Sequence, residues 1–167
     1  MESLAGAARV VYLSTIAVYG NAEYVDETTP PSPHTERARA RLRTEQAILR
    51  GPWSALVLRS SAIYGPGRGV HVSHRIRHEG CVSRIHVDDL AAHIEAALFH
   101  EANGAWPVAD EHPCPSREIL EFIGVHEPVS VLDSISTDRR VDGSAIRRIL
   151  GIGLKYPSYH EGLAARA

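Results

Sequence analysis

The stretch Val10-Val11-Tyr12-Leu13-Ser14-Thr15-Ile16-Ala17-Val18-Tyr19-Gly20 decides the fold. It is a continuous apolar run that stops at hydroxyl residues and then turns at glycine. A buried parallel strand reads this way when it delivers side chains to a ligand crevice at its carboxyl end. A second stretch repeats the plan: Leu56-Val57-Leu58-Arg59-Ser60-Ser61-Ala62-Ile63-Tyr64-Gly65-Pro66-Gly67-Arg68. Between the two, Tyr24 to Pro33 is polar and proline-rich. Ser32-Pro33 or Thr35 then starts a helix that runs to about Arg50 and stops at Gly51-Pro52. Ala38, Leu42 and Leu49 form a narrow apolar stripe on it.

Downstream, Gly65 to Gly80 reads as a loop with one short helix. Ser83 to Val87 and Ala105 to Val108 read as strands. Asp88 or Asp89 caps a helix with Leu90, Ile94, Ala97 and Leu98 on one face, and Ser116 caps another that ends at Gly124. A last helix covers Ser144 to Leu150, with Gly151 as its stop. Strands alternating with helices predict an α/β fold on a largely parallel sheet.

At 167 residues, with 44% hydrophobic and 23% charged content, the chain suits one globular domain. A net charge of −2 supplies no basic field for nucleic acid. No apolar run is long enough to span a membrane, and the start shows no charged segment ahead of an apolar one, so neither a membrane nor a secretory leader is expected. Cys81 and Cys114 stand in no metal or redox spacing, which suits a reducing, cytoplasmic location. Lys155 is the only lysine, so any mechanism that needs one must use it. His71, His74 and His78, and the seven-residue series His86, His93 and His100, invite a metal reading. The first trio sits in a weakly structured loop, and the second recurs about 10 Å apart along a helix, too far for one ion. Scattered surface histidines and no metal are expected.

Together with Arg84-Ile85-His86-Val87-Asp88-Asp89-Leu90, the two strand motifs resemble the C-terminal part of an extended short-chain dehydrogenase/reductase, the NAD(P)-dependent epimerase/dehydratase family. Lys155-Tyr156-Pro157-Ser158-Tyr159-His160-Glu161-Gly162-Leu163 is similar to the end of an atypical subgroup. The resemblance implies a Rossmann-type doubly wound, mostly parallel sheet. It also implies a single partial domain over 1–167, without the N-terminal dinucleotide-binding half. The substrate region looks shortened from Val70 to Val82 and after Ile123. The activity implied is oxidoreduction or epimerisation of a carbonyl or sugar-like substrate with NAD or NADP.

Residue by residue, the resemblance implies that Thr15, four before Tyr19, orients the substrate carbonyl. The family's Tyr and Lys fall at Arg37 and Arg41, counting back from Glu45, so its acid/base pair is absent. Arg keeps its proton and cannot shuttle it. Ile63, Tyr64 and Gly65 lie in the segment that passes the nicotinamide. Ser60 and Ala62 depart from the usual Pro and Asn, against nucleotide-sugar recognition. No Gly-x-x-Gly-x-x-Gly loop is present, and Pro66 disqualifies the Gly65 to Gly69 stretch as a substitute. The helix around Thr35 to Arg50 is one that relatives use in dimers, which implies a homodimer.

Plainer readings stand beside these. Thr15 satisfies only backbone at a strand end. Arg37 and Arg41 either clamp an oxyanion or lie on a solvated face where Arg41 pairs with Glu45. Asp88 and Asp89 cap a helix, or form a two-carboxylate site. The chain alone is expected not to turn over, and an uncovered sheet edge is expected to recruit a partner or aggregate. The alternatives are a non-catalytic interaction module and a fragment of a longer enzyme.

Overall fold

The computed structural model describes residues 8–73, 76, 79–126 and 138–164. Three parallel strands, β1 (Arg9–Thr15), β3 (Ser54–Ser60) and β7 (Gly104–Val108), form the central sheet in the order β1-β3-β7. The register sets Thr15 beside Ser60 and Ser60 beside Val108, so the three strands end together. Three two-stranded additions complete the strands. They are β2 (Tyr24–Val25) with β9 (Arg140–Val141), β4 (Ala62–Tyr64) with β6 (Arg84–His86), and β5 (Cys81–Val82) with β8 (Cys114–Pro115).

Alternation along β3 assigns the two faces. Leu56 and Leu58 join Ile85, Leu90, Ala97, Ile146 and Leu150 in the largest core cluster, under α3 (Val87–Phe99) and α5 (Ser144–Leu150). Ala55, with Val10 and Ile48, packs on the other side under α1 (Glu36–Leu49). Helices therefore cover both faces of a parallel sheet, the doubly wound arrangement expected. The remaining helices are short: α2 (Val70–Ser73), α4 (Ser116–Phe122) and α6 (Tyr159–Ala164).

Local signals set most boundaries. Thr35 accepts from the Ala38 N–H and caps α1, and Gly151 ends α5 in the left-handed region at φ 66°. Four expectations are corrected. On α1 the buried stripe is Ala38, Glu45 and Ile48, while Leu49 is exposed. A buried partner for Glu45 decided this, not hydropathy. On α3, His93 is buried and Leu98 is exposed. The aspartates do not cap α3: His86 Nδ1 accepts from the Asp88 N–H, because the helix starts at Val87. Asp89 instead turns inward and accepts from the Lys155 and Tyr156 N–H groups at 2.7 and 3.0 Å. Likewise Ser116 makes no cap bond; its hydroxyl accepts from buried Arg84 at 2.8 Å.

The histidines are also corrected: His71, His86 and His93 are buried rather than at the surface. His93 Nδ1 meets the Asp89 carbonyl oxygen at 2.7 Å, and burial holds its pKa below the ordinary value. His74 and His78 lie outside the described residues, as does most of the segment after Ile123. Among the described residues, no strand pairs with the outer edge of β1, and Leu13 there is exposed. No described helix is long and apolar enough to cross a membrane.

Candidate active site

A crevice of about 590 Å³ opens at the carboxyl ends of β1 and β3. Thr15, Ser60, Ser61, Ile63 and Arg41 line it, with Arg68 and Arg139. A smaller recess of about 290 Å³ is lined by Thr15, Thr35, Arg37 and Arg41. Thr15 and Arg41 belong to both, so the structure brings together the three positions read from the sequence as hydroxyl, Tyr and Lys. Ile63 joins them from β4.

Thr15 is held by a 3-10 turn over Ile16–Tyr19, where its Oγ1 accepts from the Ala17 N–H at 3.3 Å. The plain reading of Thr15 is therefore correct as far as it goes. Because Oγ1 is the acceptor there, its hydroxyl proton is not used in that bond.

Arg41 does not pair with Glu45, one of the two readings above. It donates to the Tyr12 hydroxyl at 2.9 Å. Glu45 is fully buried beneath the crevice, 2.7 Å from Arg59 Nη2. It also accepts from Ser14 Oγ at 2.5 Å, and Arg59 Nη1 donates to the Tyr19 hydroxyl at 3.0 Å. Burial pushes the Tyr19 phenol pKa up. The outer face of α1 settles its own charges: Arg39 and Arg43 both reach Glu36, at 3.1 and 2.8 Å.

Tyr64 and Gly65 do not line the crevice. Tyr64 is buried and donates to the Ser158 carbonyl at 3.0 Å. Gly65 and Arg68 exchange backbone hydrogen bonds at 3.0 Å in a tight turn. A side chain at Gly65 would put its Cβ 2.6 Å from Val87, at a φ of 153° that L residues rarely adopt. That turn presents Arg68 to the crevice. Behind Ile63 lies a second recess of about 240 Å³, walled in part by Val70, Arg84 and Ile119.

Sequence reasoning missed Arg59, Ser61, Arg68, Arg139 and Asp110. Arg59 had a signal: a charge directly after the run Leu56-Val57-Leu58, in the same buried strand, must find a buried partner. Arg139 had none, being 117 residues from Ala22, whose carbonyl it binds; it also donates to the carbonyls of Ile16 and Gly20. Asp110 is buried just past β7, and burial pushes its pKa up to about 7. Among the described residues, one trio of metal-capable groups lies within 4.8 Å: His112, Cys114 and Glu118. These groups already have partners. Glu118 accepts from Tyr159 at 2.8 Å and meets His112 at 3.2 Å, and burial holds the Cys114 thiol at a pKa of about 11.

No family profile matches the chain. A conserved protein of unknown function from Silicibacter pomeroyi is 34% identical and superposes with a TM-score of 0.84 over 98% of this chain and 69% of its own. A protein of Methylobacillus flagellatus, assigned as an NAD-dependent epimerase/dehydratase, is 26% identical at a TM-score of 0.79, covering 95% of this chain and 63% of its own. In sequence, a Streptomyces 3-diazoavenalumate denitrifying reductase is 28% identical over 170 residues, covering 84% of this chain and 55% of its own. The chain spans little more than half the length of the curated relatives it matches. The parallel sheet with helices on both faces, the crevice at its carboxyl ends and these relatives agree: over most of its length the chain has the Rossmann-like fold of the NAD-dependent epimerases/dehydratases and is similar to them.

Proposed function

We propose that the crevice is the substrate side of an NAD(P)-dependent oxidoreductase or epimerase site for a carbonyl or sugar-like substrate, and that these 167 residues alone do not turn over. The observation that carries the reading is the convergence of Thr15, Arg37 and Arg41 on one recess, continuous through Thr15 and Arg41 with the crevice that Ile63 lines. The dinucleotide, when bound, supplies or accepts a hydride. Thr15 would donate a hydrogen bond from its hydroxyl to the substrate carbonyl oxygen, where negative charge develops. Ile63 offers an apolar wall that keeps water from the reacting face. Arg41, tied to Tyr12, adds positive charge but moves no proton.

The donor set fits the nicotinamide end of the dinucleotide, with one apolar wall and a hydroxyl with a spare proton. It does not fit the pyrophosphate, because no glycine-rich loop is in the sequence and the Gly65 turn carries Pro66. Without positioned acid/base help, the rate falls by about 10²–10⁴. The test is a titration of the chain with NADH and NADPH, followed by an assay with simple aldehydes and ketones. Absence of turnover is the expected result, and saturable binding would show that the nicotinamide end alone suffices for a site. Robust reduction by the purified chain would sink the claim of inactivity.

A second reading is an interaction module. It is supported by the open outer edge of β1 and exposed Leu13, with α1 as a further contact for a homodimer. A clean monomer in light scattering over a wide concentration range counts against it.

A further inference from the structure

We propose that the crevice and its adjoining recess select substrates that carry an oxyanion, a carboxylate or a phosphate, gripped by Arg41, which lines both, with Arg37 on the recess side and Arg68 of the Gly65 turn on the crevice side. This rests on the reading of the crevice as the substrate side of the site and gives that substrate a chemical class.

The argument is a charge inventory. Neither the crevice nor the adjoining recess has an Asp or Glu in its lining. The nearby acids are already taken: Glu36 holds Arg39 and Arg43, and Glu45 holds Arg59. Arg139 is committed to the carbonyls of Ile16, Gly20 and Ala22. Among the described residues, this leaves Arg37, Arg41 and Arg68 without an acidic partner.

Helical geometry then sorts the arginines. Arg37 and Arg41 are four apart and share one face, which is the face toward Thr15. Two like charges at this spacing repel each other, and an anion between them reverses the sign of that interaction. The site is also partly built in advance. Arg41 is fixed by the Tyr12 hydroxyl at 2.9 Å, so its remaining donors are aimed before a ligand arrives. Ser61 adds a neutral donor: the residue belongs to the crevice lining, and its buried Oγ has no hydrogen-bond partner among the described residues. Guanidinium forks and a hydroxyl around a pocket free of carboxylates are the complement of an oxyanion.

The test is calorimetric titration of the full chain at low ionic strength with benzoate, inorganic phosphate and, as a neutral control, benzamide. Saturable binding of benzoate or phosphate, but not of benzamide, is expected. Which anion binds tighter tells carboxylate from phosphate. The Arg37→Gln/Arg41→Gln double variant should weaken that binding at least tenfold, whereas Arg39→Gln/Arg43→Gln on the outer face should leave it within twofold. Circular dichroism checks each fold, and Arg68→Gln on the exposed turn serves if the double variant does not fold. The proposal is overturned if neither anion binds to folded protein, or if both double variants bind alike. NADH titrated in parallel separates the two readings. NADH binding without anion binding removes only the oxyanion class, and anion binding without NADH binding removes only the nicotinamide assignment.

Discussion

Arg59 and Arg41 stand near the end of the same strand, β1, and show two uses of one side chain. Arg59, on β3, is buried and tied to Glu45 and Tyr19 beneath the crevice. Arg41, on α1, is only partly buried, meets a single phenol and faces open volume. The first arginine is architecture. It repays its desolvation with a fork on a carboxylate and joins α1 to β3 under the reacting face. The second has spare donors and no acid, which is the condition for holding something that is not part of the chain. The difference teaches that the count of arginines on a helix says little until each one's partner is known.

The sharpest way to break this comparison is to remove the buried carboxylate. Glu45→Ala leaves Arg59 charged and unpaired inside the fold, and should cost about 3–5 kcal/mol in urea unfolding. If the loss is no greater than for a rim arginine, the distinction drawn here fails. Asp110 extends the comparison to a buried carboxyl with no ion pair. Its pKa is raised to about 7 in the fold, chiefly by burial. In the unfolded chain it ionises near pH 4, so stability is full below that and falls as pH rises toward 7. Asp110→Asn should remove that slope and gain up to about 3 kcal/mol at neutral pH. A profile from pH 4 to 8 for both proteins decides it.

Smaller effects sharpen the contrast. Thr35→Ala deletes the cap of the helix that carries Arg37 and Arg41, and should cost about 1 kcal/mol. Smallest of all, Arg37→Gln should change stability by no more than about 0.5 kcal/mol, because among the described residues its side chain makes no ion pair or hydrogen bond. A larger loss would make Arg37 a structural residue and weaken its assignment to a ligand.

The sheet and its helices were legible because strand, turn and cap signals are local. Val10 to Thr15 and Ala55 to Ser60 are continuous apolar runs, and Thr35 and Gly151 punctuate helices by chemistry that acts within a few residues. The candidate site was legible in position where it lies on those elements: Thr15, Arg37 and Arg41 line one recess, and Thr15, Arg41 and Ile63 line the adjoining crevice. It was illegible where a residue's surroundings come from far along the chain. Glu45 reads as an exposed helix residue until Arg59 is seen opposite. Tyr64 reads as a crevice residue until Ser158 is seen to take its hydroxyl. Asp89 reads as a cap because an acid at a helix start is usually one, and its true partners lie 66 and 67 residues later.

That last contact governs the order in which the protein can be made. Asp89 is buried with its charge met by the N–H groups of Lys155 and Tyr156. Until residue 156 has left the ribosome, the start of α3 holds a carboxylate that must either stay in water or be buried at a cost of several kcal/mol. The segment from Arg84 to Leu90 therefore cannot settle as it is synthesised. The sheet and α1 can form before it, and the wall of the crevice beyond Ile63 closes only once the Lys155–Tyr156 segment is available.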